Sequence, residues 1–310
     1  MSQSWTGMGS TINVNQLTEF IRHTAQSPQG FAQLCNPPTG EALGKGKGDT
    51  VQYTFFSNLS TSGGVLPEND EIPEGSLTPT SGSYVLQEYG MSTRWSGKLQ
   101  TLSRLPIEDG FVQALMNDMR KVQNTAAFTE FDDTDWIANF SSTADEFRTD
   151  GVAASFSNTS NEDLSLANLR FLVRKARLNN IPYFDGESYV FISGIKSLDT
   201  LRYSSDVTTS LQYDSGRAAL NGECGRLAQC RLVEDNHVIS ESAAGVADVG
   251  FLIGADAVVN EYAVAPEVRA QDKDFGRSIA VAYYFIAAWK KIYSQATNSK
   301  EHVIKVTLKP

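Results

Sequence analysis

Gly222-Glu223-Cys224-Gly225-Arg226-Leu227-Ala228-Gln229-Cys230-Arg231-Leu232-Val233-Glu234-Asp235-Asn236 is the stretch on which the fold reading turns. Gly222 and Gly225 set a tight turn that side-chain-bearing residues would strain, and the run to Val233-Glu234 continues as a strand. It holds no nucleophile–base pair and no metal-ligand set. Cys224 and Cys230 lie six apart, unlike a zinc knuckle, and read as small buried apolar residues.

Upstream lies an amphipathic helix over Asp163–Leu178. Ser160 and Asp163 predict a capping-box-like start. Leu166, Leu169, Leu172, Val173 and Ala176 recur at helical spacing and form its buried face. Arg170, Arg174, Lys175 and Arg177 fall largely on other faces, where late basic residues suit the helix dipole. Asn179-Asn180-Ile181-Pro182 ends it. Tyr189–Ile192 predicts a central strand, and a short helix follows around Ile195–Tyr203. Downstream, Gly250–Ile253 opens a strand–turn–helix section with Ala255–Val259 packed behind it. Val303, Ile304, Val306 and Leu308, interspersed with Lys305 and Lys309, predict a closing strand.

The N-terminal half is less regular. Asn13 caps a short helix bearing Leu17, Phe20 and Ile21. Residues 27–49 are rich in turn formers (Pro28, Gly30, Pro37, Pro38, Gly40) and read as an extended arm, not a core element. Val51–Phe56 and Tyr84–Trp95 are strand-like. The thirty residues between them carry Gly63, Gly64, Pro67, Pro73, Gly75, Pro79 and Gly82, with four acidic residues from Glu68 to Glu74. That is a strand, a long irregular tip and a returning strand. An isolated ribbon of this kind is marginally stable. Ordering some thirty such residues costs roughly 30–60 kcal/mol of backbone entropy, which contacts outside the ribbon must offset. Pro106 then opens a helix whose stripe is Phe111, Val112, Leu115, Met116, Met119 and Val122, reaching Ala127. Residues 131–159 show only isolated anchors at Trp136, Ile137 and Phe140.

Composition narrows the function. The 310 residues are 41% hydrophobic and 20% charged, which is globular. A formal net charge of −10 argues against tight phosphate binding. Three cysteines argue against a disulfide framework. The first residues, Met1 to Trp5, do not read as a secretory signal, and no apolar run is long enough to span a bilayer.

At residues 166–234 the pattern becomes recognisable. It resembles the major capsid proteins of tailed phages in the N4-like group, which share the HK97-like fold. The matching pieces are DLSLANLRFLVRKARLNNIP (163–182), YVFISGIKSLDTLRYSSD (189–206), the Gly-Glu-x-Gly-Arg signature within 222–236, and FLIGADAVV (251–259). Upstream, GDTVQYTFFSNLS (48–60) and the acidic–proline loop are similar to the start of that family's extended loop. SIAVAYYFIAAWKKIY and HVIKVTLKP are similar to its closing strands. The sequence departs from the family at 131–159 and around Asp272–Arg277.

The resemblance implies an α+β HK97-like major capsid fold. Residues 1–49 would be an N-terminal arm, 50–104 the extended β-hairpin loop with flanking strands, and 105–159 a peripheral domain with a long spine helix. Residues 160–275 would be an axial domain and 276–310 the closing strands. The implied function is self-assembly as hexamers and pentamers into an icosahedral head enclosing double-stranded DNA. The implied partners are many copies of the chain, scaffold and portal proteins, a decoration protein, and packaged DNA held weakly, with no membrane. The implied location is the virion, after assembly in the host cytoplasm. A DNA-free shell of the same fold and an unrelated soluble binding module remain the alternatives.

Within that picture Val65, Leu66, Glu68, Asp70, Glu71 and Glu74 are expected to make intersubunit contacts, with Arg94, Lys98 and Arg104 as basic partners; a solvated acidic loop is the alternative. Glu223 and Arg226 are expected to pair across subunits, against the alternative of a surface pair worth about 0–1 kcal/mol. No enzyme, cofactor or metal site is expected. His23, His237 and His302 sit in no metal or catalytic motif. Ser193-Gly194 lacks a nucleophile-elbow frame, and Gly44–Thr50 fails the phosphate-loop spacing.

Overall fold

Burial on both faces of the central strand of one sheet, where every residue of Tyr189–Ser193 is buried, shows that a layer covers each side of it. The computed structural model describes residues 30–36, 48–56, 59, 63–66, 68, 71–72, 74–103, 107–141, 145–152, 162–202, 204, 226–237, 248–294 and 300–308. In chain order the elements are β1 (Thr50–Phe56), β2 (Pro79–Val85), β3 (Gln87–Ser96), α1 (Gly97–Leu102), α2 (Ile107–Asp132), β4 (Ile137–Asn139) and β5 (Glu146–Arg148). There follow α3 (Leu166–Leu178), β6 (Tyr189–Ser193), α4 (Ile195–Arg202), β7 (Arg226–Leu227), β8 (Cys230–Glu234), β9 (Asp248–Ile253), β10 (Val258–Lys273), β11 (Ser278–Lys291) and β12 (Val303–Leu308).

Two compact units divide the chain. The larger comprises 27–89, 120–266 and 285–310; the smaller comprises 1–26, 90–119 and 267–284. The larger unit is organised by a seven-stranded mixed sheet in the order β5-β4-β12-β9-β6-β8-β7. Successive strand residues point to opposite faces. Ile304, Val306 and Leu308 of β12, Leu252 of β9, and Tyr189 and Phe191 of β6 join one core with Leu169, Leu172 and Ala176 of α3 and Leu198 and Leu201 of α4. The alternate residues face the other way. Phe251 packs edge-on against Phe128 of α2 at 5.8 Å, and Lys305 pairs with Asp132 at 2.6 Å. The C-terminal half of α2 therefore covers the second face.

Residues 30–36 belong to that second layer, and this corrects the reading of 27–49 as an arm outside the core. Phe31 is fully buried and Leu34 nearly so. The Phe31 ring meets Phe128 at 5.2 Å, Phe251 at 5.5 Å and Phe131 at 5.5 Å. A second correction concerns the chain after β9. No helix follows; a turn with Asp256 at φ 52° leads into the sixteen-residue strand β10. A third concerns α3. Its cap is Ser165, whose hydroxyl accepts the Asn168 N–H at 3.2 Å, so the helix starts at Leu166 and not at the Ser160–Asp163 pair. The expected helix at residues 13–21 lies outside the described residues.

Between β1 and β2 the register is fixed by antiparallel pairing from Thr50↔Val85 to Phe56↔Pro79. Tyr53 stands opposite Gly82, where an added Cβ would come within 2.4 Å of the tyrosine ring. Glycine there lets the tyrosine ring lie across the partner strand. The Tyr84 hydroxyl donates to Glu261, and Phe55 packs on Tyr293 at 5.0 Å, so the base of this ribbon is anchored.

In the smaller unit Trp95 stacks on Phe111 at 5.3 Å, and the Tyr283 hydroxyl donates to Asp118 at 2.8 Å. These contacts hold the first turns of α2 against β3 and β11. Its β10–β11 turn places Asp274, Phe275 and Gly276 all at positive φ (52°, 54° and 82°).

Candidate interaction surface

Each described residue from Leu59 to Pro79 is exposed. Val65 is 99% and Ile72 75% exposed, which leaves large apolar side chains without cover from their own chain. Glu68, Glu71 and Glu74 are exposed beside them; Asp70 lies outside the described residues. Arg94 on β3 and Lys98 on α1 are also exposed, and among the described residues neither forms an ion pair. Arg104 lies outside the described residues.

Of the glycine-turn residues, Gly222, Glu223 and Gly225 lie outside the described residues. Arg226 is described, and its guanidinium is engaged within its own chain by Glu187 at 3.0 Å and Asp185 at 3.3 Å. Asp185 is held below the usual carboxylate range, first by the backbone N–H groups of Ser188 and Glu187 and last by Arg226. Just after it, Ala228 and Gln229 form the β7–β8 turn at φ 49° and 64°. Such two-residue turns favour Asn-Gly, so Ala-Gln is a locally strained choice.

Sequence reading missed Phe275. It is fully exposed at a ribbon tip in a left-handed conformation that is unusual for a bulky residue. The available signal was an aromatic followed by glycine in a polar turn between two strands.

Three polar clusters lie inside the larger unit, and their geometry is structural. Asp235 is fully buried; its carboxylate accepts the Gly30 N–H at 2.7 Å, the Asn124 amide at 2.9 Å and the His237 N–H at 3.0 Å. With its oxygens taken this way, Asp235 clamps residues 30–36, α2 and the end of β8 together. Lys291 and Glu301 form a second cluster, paired at 3.0 Å and buried. In the third, His302 stacks on Tyr293 at 3.8 Å and donates Nδ1–H to the Ala255 carbonyl. Burial pulls the His302 pKa below the ordinary histidine value, outweighing the opposing pull of the Ala255 carbonyl and Asp256.

The depressed histidine has a sign that can be tested. The unfolded chain binds the proton more readily, so the stability from neutral His302 is fully present above about pH 6.5 and declines as pH falls through that value. His302→Gln is expected to flatten this part of the urea-midpoint profile between pH 7 and 5. An unchanged slope would show that the ring does not titrate differently on folding.

The two described cysteines are not activated thiols. Burial pushes the Cys230 thiol up to about 12 and raises Cys35 further. A hollow of about 680 Å³ beside α2 is lined by Tyr84, Tyr89, Lys121, Thr125, Glu130 and Trp289, without a nucleophile–base–orienter arrangement. Among the described residues no group of His, Cys, Asp and Glu is set to hold a metal ion, and no helix is long and apolar enough to cross a membrane.

No protein-family model matches this sequence, and no curated protein does. Solved structures do match. The capsid of cyanophage Pam1 aligns at a TM-score of 0.70 and 14% identity, covering 97% of each chain. The acid-stable capsid of Helicobacter pylori bacteriophage KHP30 aligns at 0.69 and 14%, again over 97% of each. The capsid of Ralstonia phage GP4 aligns at 0.67 and 15%, over 100% of this chain and 99% of that one. The likeness spans the chain from end to end at low identity, so what it establishes is architecture: this is the α+β fold of phage major capsid proteins, consistent with the HK97-like class.

Proposed function

We propose that this chain is the main structural subunit of an icosahedral phage head enclosing double-stranded DNA, and that it acts by self-association without catalysis. The observation that carries the reading is the β1–β2 tip: apolar and acidic side chains held out from a fixed base, with no cover from their own chain. The shared architecture with phage shell proteins supports it. On this reading residues 1–49 are an arm of which the stretch 30–36 is packed into the core, 50–104 the extended loop, 105–159 a peripheral domain, 160–275 an axial domain and 276–310 the closing strands. The Gly-Glu-x-Gly-Arg stretch and the blocks around it support placement in the N4-like group. Val65, Leu66, Glu68, Asp70, Glu71 and Glu74 then meet a neighbouring copy, where Arg94, Lys98 and Arg104 offer positive charge. Glu223 is assigned to an intersubunit contact; Arg226 reaches one only by sharing its guanidinium with Asp185 and Glu187. Scaffold, portal and decoration proteins complete the proposed set of partners, with assembly in the host cytoplasm and the virion as final location. A net charge of −10 suits a wall that confines DNA without gripping it.

Deleting residues 62–76 tests this. The unassembled subunit is expected to keep its circular dichroism and melting temperature, because the described residues of that segment cover no core. Closed particles in negative stain are expected to fall at least tenfold. Wild-type particle yield from the deleted chain would refute the assembly role of the tip. Particles that form normally but hold no nuclease-protected DNA would point instead to an empty compartment.

A further inference from the structure

We infer that the outward face of α3 is the receptor for the acidic β1–β2 tip of a second copy; this rests on the tip being an intersubunit contact, as proposed above. Arg170, Arg174, Arg177 and Leu178 stand at helical spacings of four, seven and eight, which puts them on one face. Together with Val173, Ala228 and Gln229 they line a groove of about 470 Å³. Leu178 is 69% exposed at its edge. Among the described residues no carboxylate lies within ion-pair distance of Arg170, Arg174 or Arg177, although the field of Arg174 reaches Asp145. Arg177 does bond the Gln229 side chain at 3.4 Å. In a chain with ten more acidic than basic residues, three such arginines beside an apolar floor are a concentrated exception.

The tip has the complementary chemistry. Val65, Leu66 and Ile72 stand in one ten-residue stretch with Glu68, Glu71 and Glu74. Spacing agrees as well. Arg170 to Arg177 rises about 10 Å along the helix. An extended chain covers about 10 Å in three residues, the interval between successive glutamates. Two glutamates thus reach both ends of the arginine row while a neighbouring aliphatic side chain rests on Val173, Leu178 and Ala228. The apolar floor favours such a peptide over a phosphate backbone, which has no aliphatic side chain to place there. The strained Ala228–Gln229 turn shapes one wall of this groove. Arg94, Lys98 and Arg104 match the α3 face in number of charges; what distinguishes the α3 arginines is the groove they line together with Val173, Leu178 and Ala228.

Charge exchange in the full-length chain tests the pairing. Arg174 is left alone because Asp145 shares its field. The Arg170→Glu/Arg177→Glu chain and the Glu71→Lys/Glu74→Lys chain are each expected to lose at least tenfold in particle yield. The chain carrying all four changes is expected to recover to within about twofold of wild type. Circular dichroism confirms folding, and Arg170→Gln/Arg177→Gln replaces the reversal should that chain unfold. Failure of the fourfold chain to recover, or full yield from the α3 variant, overturns the inference. So does a yield lost on Arg94→Glu/Lys98→Glu and kept on the α3 variant. An α3 variant with normal particles but less protected DNA assigns the face to nucleic acid and overturns it too. If deleting 62–76 blocks assembly while α3 reversal does not, the groove assignment alone has failed; if the deletion has no effect, the assembly reading has failed with it.

Discussion

Glu301→Ala is expected to lower the unfolding free energy of the unassembled subunit by about 3–5 kcal/mol. Lys291 is 5% and Glu301 0% exposed at the side chain, and their charges sit 3.0 Å apart. The same carboxylate accepts the Asp135 N–H at 3.0 Å and the Trp136 N–H at 3.3 Å, and also the Thr134 hydroxyl. The ammonium donates in turn to the Asp133 carbonyl. One pair therefore ties the C-terminal end of α2 to the end of β11 and the approach to β12. Alanine leaves a buried ammonium without its counter-ion and strips an acceptor from two backbone N–H groups. Glu301→Gln keeps a carbonyl for those donors and should cost less. Lys291→Met leaves a carboxylate that still accepts three hydrogen bonds and should cost less than alanine at 301. Urea midpoints at constant m-value check the order. A Glu301→Ala midpoint within 1 kcal/mol of wild type would mean that the pair is hydrated in solution.

The second large effect is expected at Phe31. Removing a ring that is fully buried among Phe128, Phe131 and Phe251 costs about 3–5 kcal/mol as a cavity. The segment is held to the rest of the larger unit by the ring cluster and a few hydrogen bonds, so opening is an alternative to collapse around the cavity. Gly30 is bonded to Asp235, Ala32 to the Asn124 side chain at 3.2 Å, and Asn36 to the Val258 carbonyl at 3.0 Å. Phe31→Ala should therefore let residues 30–36 open before the sheet unfolds. Protease cleavage within 30–36 should accelerate about 100-fold or more, since each 1.4 kcal/mol is a factor of ten. Phe31→Leu should recover much of the protection. Equal cleavage rates for wild type and Phe31→Ala would show that the aromatic cluster does not retain the segment.

Much of the fold was legible because its elements carry period. The stripe of α2 from Phe111 to Val122, the α3 face Leu169–Leu172–Val173–Ala176, and the alternation of Val303–Leu308 each announce an element and its buried side. What was illegible lacked period. Phe31 and Leu34 are two apolar residues in a turn-rich stretch, and their burial is decided by partners about a hundred and two hundred positions away. In β10 the exposed run from Ala265 onward shows no apolar alternation, since that strand pairs through its backbone and has no covered face there. The start of α3 was misplaced because Ser160 and Ser165 both offer a capping hydroxyl in the sequence, and the cap is the one made by Ser165 to the Asn168 N–H. The acidic tip could be read from composition. The arginine groove could not, because it needs Ala228 and Gln229 of the β7–β8 turn brought against a helix fifty positions earlier.

The place of β12 in the sheet has a temporal meaning. It lies between β4 and β9, so it is an interior strand, although it follows the other described strands in the chain. During translation β9 is complete at residue 253, yet its edge stays unpaired until residues 303–308 have left the ribosome. At roughly 5–20 residues per second that wait lasts about 3–11 s. A nascent or prematurely terminated chain lacks the middle of its largest sheet and the Glu301 lock beside it. An unfinished polypeptide therefore leaves β4 and β9 without the strand that joins them.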